Sequence, residues 1–177
     1  MERSNATRLR GGFLTLTFVL AAIAACSLSE PSFSTPKPDK LTLYEGLPHQ
    51  LYETEKLVEE RKKPNIEKDG FPFYRDPLDL KEGDAELIAS VLANPRTFQS
   101  FSGEKKCGGF HPDYAVVVSA KGEEFTYLIC FGCGEVKVFR PDRSETRYDL
   151  AKGENGQRLT TILRSYRKNR PLPIEGL

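Results

Sequence analysis

Three cysteines and a histidine in the second half of the chain are the residues whose types and spacing could do chemistry. Cys107 and His111 lie in Cys-Gly-Gly-Phe-His, and Cys130 and Cys133 lie in Cys-Phe-Gly-Cys-Gly. Four nitrogen and sulfur donors suit tetrahedral zinc, and a C-x-x-C turn followed by glycine permits the tight turn of a zinc knuckle. The 18 residues between His111 and Cys130 are the length of a β-hairpin, which would return the second pair of sulfurs to the first. Two other arrangements stay open. Two of the three cysteines can join as a disulfide in an oxidising compartment, with one thiol left over because three is odd. Alternatively, the cysteines are small buried hydrophobes and His111 only hydrogen-bonds its own loop.

Catalysis by these residues is disfavoured by context. In thioredoxin-like proteins the first cysteine of C-x-x-C sits at a helix N-terminus, whose dipole stabilises the thiolate; here the motif falls between two expected strands. A c-type haem needs C-x-x-C-H, and position 134 is glycine. Cys107 and His111 have the types of a nucleophile and its base, but no orienting acid or oxyanion element is recognisable beside them. His49, in Gly-Leu-Pro-His, reads as a loop histidine that could also complete or cap the cysteine cluster. Asp113, beside Pro112, reads as a turn residue.

Elements must hold these loops in place. Tyr114, Val116 and Val118 alternate with Ala115, Val117 and Ser119, and after Lys121-Gly122 the run Phe125, Tyr127, Ile129 and Phe131 alternates again. These are two strands of a hairpin. Val136–Arg140 is a third strand, and Glu145–Leu150 a charged one placed at the sheet edge. Leu87, Ile88, Val91 and Leu92 form a helical stripe after Asp84, its expected cap. Leu159, Ile162, Leu163 and Tyr166 form another over 154–168, with Arg158, Arg164, Arg167 and Lys168 toward water. Residues 50–63 read as a short charged helix, and 65–82, rich in Phe and Pro without period, as a loop lying across the core. The expected fold is α+β: an antiparallel meander of four or five strands, covered on one face by two or three helices.

The strings CGGFHPDY (107–114) and ICFGCGE (129–135), with EGLPHQ (45–50) upstream, resemble those of a group of small bacterial proteins and lipoproteins. The resemblance spans roughly residues 41–171. It implies a genuine module and supplies no activity.

The N-terminus addresses the chain. Arg3, Arg8 and Arg10 precede an uncharged apolar run, Phe13 to Ala25, that ends at Ile23-Ala24-Ala25-Cys26. This resembles the lipobox of a bacterial lipoprotein signal peptide, with Cys26 the lipidated first residue of the mature chain. Thirteen residues at about 1.5 Å each fall short of a roughly 30 Å hydrocarbon core, so the run is a cleaved signal rather than a membrane span. Ser27 after the cysteine implies, from the same resemblance, transfer to an outer membrane where the cell has one. The expected organisation is a signal peptide (1–25), a lipidated cysteine with a Pro/Ser-rich tether (26–40), and one globular domain (41–177).

Removing residues 1–25 takes three of 26 basic residues and one of 25 acidic ones, leaving 23 against 24 and a net charge of −1. A nucleic-acid partner would leave a basic footprint, which this balance lacks. Membrane attachment is therefore expected through acyl chains, palmitate among them, each buried CH₂ contributing about 0.8 kcal/mol. The expectation is a membrane-anchored envelope lipoprotein with a non-enzymatic binding or structural domain. The alternative is a periplasmic protein that binds zinc through Cys107, His111, Cys130 and Cys133, or that works by thiol redox.

Overall fold

The computed structural model describes residues 37–106 and 108–170. The signal peptide, Cys26, most of the tether and Cys107 lie outside the described residues. The architecture is α+β. In chain order the elements are β1 (Lys40–Glu45), α1 (Thr54–Glu60), β2 (Asn65–Lys68), β3 (Phe71–Tyr74), α2 (Asp84–Leu92), β4 (Phe98–Ser100), β5 (Tyr114–Ala120), β6 (Glu123–Cys130), β7 (Glu135–Phe139), β8 (Glu145–Leu150) and α3 (Glu154–Arg164).

Six strands form one antiparallel sheet in the order β1-β5-β6-β7-β8-β4, and β2-β3 forms a separate hairpin. The meander β5 to β8 is the sheet's centre, as the alternation predicts. One expectation is corrected: β8 is not an edge. Phe98, Gln99 and Ser100 pair with Leu150, Asp149 and Tyr148, so β4 covers β8. The three-residue β4 is too short to show a period, and the charges of β8 tolerate this position because Asp149 accepts hydrogen bonds from Ser102 and Lys105.

One face of the sheet, with Leu43, Val116, Val118, Tyr127, Ile129, Val136, Val138 and Tyr148, packs on Ile88, Val91 and Leu92 of α2 and Leu159 and Leu163 of α3. Full burial of each large apolar side chain contributes about 1.5–3 kcal/mol. Here the helical and strand periods meet. The other face is covered as well: Ala115 and Leu128 pack under Phe73, with Ile66, Phe71, Phe110 and Phe139 around them. This corrects the second expectation, because the segment read as a loop is a hairpin whose tip, Asp69-Gly70, takes positive φ at both residues (48° and 83°). That is the backbone of a two-residue hairpin turn.

Helix ends differ in detail. Gly83, not Asp84, is the N-cap of α2; the Asp84 carboxylate instead accepts the Tyr166 hydroxyl, tying α2 to the end of α3. That hydroxyl in turn accepts the backbone N–H of Lys81 at 2.8 Å. Among the described residues no helix is long and apolar enough to cross a membrane.

Candidate functional site

The register places the chemistry. Tyr114 pairs with Ile129, and Cys130 with Glu135, so the loop entering β5 and the turn leaving β6 meet at one end of the sheet. Glu45, the last residue of β1, lies opposite Tyr114 at that same end. The chain then leaves β1 through Gly46, which passes so close to the neighbouring loop that a Cβ there would stand 2.1 Å from the Pro112 carbonyl oxygen. Only glycine allows that approach. It brings the 46–53 segment, and with it His49, over the end of the sheet.

A cleft of about 550 Å³ opens there, lined by His49, Tyr52, His111, Cys130, Cys133 and Arg170. The structure thus brings together His111, Cys130 and Cys133 and adds His49, whose ring centroid is 4.7 Å from that of His111. Cys130 is a free, buried thiol. Cys133 is disulfide-bonded, and its sulfur is 3.0 Å from that of Cys130. The backbone N–H of Cys133 donates to the Cys130 sulfur at 3.3 Å.

Burial pushes the Cys130 thiol above its ordinary pKa. The backbone N–H groups of Cys133, His111 and Gly132 oppose that rise, and the Asp113 carboxylate adds to it. The thiol is therefore held protonated at neutral pH. His111 is shifted downward, first by burial and then by the Arg170 guanidinium and His49, against the Leu47 carbonyl and Asp113. Its Nε2–H donates to the Leu47 carbonyl at 2.7 Å, which leaves Nδ1 as the lone-pair nitrogen. His49 is also the neutral tautomer with Nε2–H, since its Nδ1 accepts the N–H of Leu51 at 3.0 Å.

These assignments bear on a metal. Thiolates are the sulfur ligands of zinc, and a set that includes Cys133 requires its disulfide to be reduced. His111 can offer only Nδ1 while Nε2 remains on Leu47. Among the described residues no three His, Cys, Asp or Glu side chains are grouped to hold a metal ion.

Sequence reasoning did not find the ionic network that frames the cleft. Arg170 reaches back from beyond α3 to place Nη1 2.5 Å from Asp113 Oδ1 and Nη2 2.6 Å from Glu53 Oε2. The other oxygen of Asp113 accepts the N–H of Phe131 at 2.7 Å, so this residue fastens the cysteine turn to the start of β5 rather than merely turning the chain. Glu53 is pushed up by burial, but the N–H of His49 and the Arg170 guanidinium outweigh this and hold it below the usual carboxylate range. Glu45 is 1% exposed. It accepts the backbone N–H groups of Lys168, Asn169 and Arg170 and the side-chain amide of Asn169. Arg167, expected to face water, is half-buried, and its Nε donates to the Arg170 carbonyl.

No family model matches the chain, no curated protein matches it, and no solved structure matches it.

Proposed function

We propose that the chain is a lipid-anchored protein of the bacterial cell envelope whose folded domain binds or supports rather than catalyses. The observation that carries the reading is the Ile-Ala-Ala-Cys sequence at 23–26 behind a positively charged start and a thirteen-residue apolar run. The geometry of the cleft favours the non-enzymatic half. A thiol nucleophile needs a depressed pKa or an adjacent base; burial raises that of Cys130, while Nε2 of His111 is turned to a backbone carbonyl. The membrane is the partner through acyl chains, the outer membrane rather than the inner one where both exist. In bacteria fed labelled palmitate, the full chain should take up label and enter the detergent phase, and Cys26→Ser should do neither. A wild-type chain that stays unlabelled and soluble sinks the anchor.

A second reading is thiol redox, favoured by the 3.0 Å approach of the free Cys130 sulfur to the disulfide-bonded Cys133. Attack of the Cys130 thiolate on the Cys133 sulfur would expel the present partner as a thiolate and consume no oxidant. Alkylation of the native, unreduced protein with tandem mass mapping separates the two. A single disulfide isomer, unchanged between pH 7 and 9, supports the inert arrangement; a mixture that shifts toward Cys130–Cys133 supports exchange.

A further inference from the structure

A second hollow, of about 420 Å³, shares Asp113 and Arg170 with the cleft and lies between the end of the sheet and the end of α3. It is lined by Glu45, Tyr114, Phe131, Arg164, Arg167 and Arg170, along with Asp113. Two carboxylates line it, yet both are committed. Glu45 faces the amide groups of 168–170. Asp113 is shared by Arg170 and the N–H of Phe131.

The guanidiniums are less fully matched. Arg170 spends Nη1 and Nη2 on Asp113 and Glu53, while its Nε is buried without a hydrogen-bond partner. That donor is itself enclosed, so what Arg170 gives the hollow is the charge of its guanidinium. Arg164 is exposed, stands 5.0 Å above the Phe131 ring, and ion-pairs with no carboxylate among the described residues. This cation–π contact with Phe131 leaves its N–H donors unoccupied. The hollow therefore offers the N–H donors of Arg164 beside the rings of Phe131 and Tyr114, whose centroids are 5.7 Å apart.

We propose that this hollow binds the phosphate group of a soluble, phosphate-bearing small molecule. A carboxylate is satisfied by one guanidinium fork, whereas a phosphate monoester carries up to two charges at neutral pH and three acceptor oxygens, enough for both Arg164 and Arg170. The remaining volume, beside Phe131 and Tyr114, takes the organic part. A lipid headgroup has the same phosphate chemistry, but position argues against it. The described chain enters β1 at Lys40, and Glu45, which lines the hollow, is the other end of that strand, about 17 Å away. The hollow thus sits at the end of the sheet remote from the tether. This choice of source rests on the proposed anchor; the phosphate chemistry does not.

The test uses the full chain with Cys26→Ser, which leaves every described residue in place, in calorimetric titrations at constant ionic strength and pH 7.5. Inorganic phosphate and glycerol 3-phosphate should bind saturably, the ester more tightly. Arg164→Gln should bind at least tenfold more weakly while its unfolding midpoint without phosphate matches the parent's; Arg164→Ala, a second exposed-site change, should behave alike. The absence of saturable phosphate binding, or an affinity equal to the parent's in both Arg164 variants, overturns the site. Acetate binding as tightly as phosphate overturns the ligand class. Binding to phosphatidylcholine vesicles containing phosphatidylglycerol, with none to glycerol 3-phosphate, overturns the soluble source. Palmitate labelling fails or succeeds independently of all these outcomes.

Discussion

Gly46 decides whether the cleft can form. A methyl group there would press into the Pro112 carbonyl at 2.1 Å, and the obstacle is backbone held by the Gly46 N–H to Asp113 carbonyl bond of 2.8 Å. Neither side can yield cheaply. Gly46→Ala should therefore cost the upper part of the about 1–3 kcal/mol typical of overpacking, read as a lower urea midpoint with unchanged slope; an unaffected midpoint would mean that the two loops separate freely. At this scale the sequence was informative about sulfur and imidazole, whose spacing and strand placement bring His111, Cys130 and Cys133 to one cleft. It was uninformative about Arg170. That residue meets Asp113 across 57 positions, and an arginine after an amphipathic helix looks the same in sequence whether it faces water or a buried carboxylate.

The elements differ in how visibly they are written. The strands β5 and β6 alternate plainly because one face meets the helices, while Ala115 and Leu128 on the other fit beneath Phe73. Ile129→Asp should unfold the domain, since it buries an unpaired charge at a position with no exposure. Arg158→Ala, on the exposed side of α3, should stay within about 0.5 kcal/mol of the parent; comparable loss from both, by thermal unfolding, would mean the sheet faces were misassigned. The β2-β3 hairpin was legible only in its turn. Asp69-Gly70 is a strong two-residue hairpin signal, but it is flanked by Phe71-Pro72-Phe73-Tyr74, where every residue is apolar or proline and no alternation survives. Phe73 is fully buried on the second sheet face, so Phe73→Ala should cost about 3–5 kcal/mol. A smaller loss would show that the hairpin merely rests on the sheet.

Across the whole molecule, the segment after α3 is fastened to the sheet end by Glu45 and to the cleft by Arg170, and acid should lower the stability of the domain in two stages. His111 has its pKa depressed in the fold, chiefly by burial. The unfolded chain then takes up a proton first as the pH falls past about 6.5, and stability declines from there at up to about 1.4 kcal/mol per pH unit. Glu53 and Asp149 are also depressed: burial raises each, and hydrogen bonds with Arg170 or with Ser102 and Lys105 overcome it. Their contributions are complete above the ordinary carboxylate pKa values and vanish as the pH drops through the lower folded ones. Glu135 runs the other way, since burial raises it, and so its protonation offsets part of the acid loss. Urea midpoints measured from pH 8 to pH 3 should fall first between about 6.5 and 5, then again below about 4.5. His111→Gln retains a donor for the Leu47 carbonyl but removes the titrating group. It should therefore flatten the first decline and leave the second, whereas an unchanged slope between pH 6.5 and 5 would assign that stage to other groups.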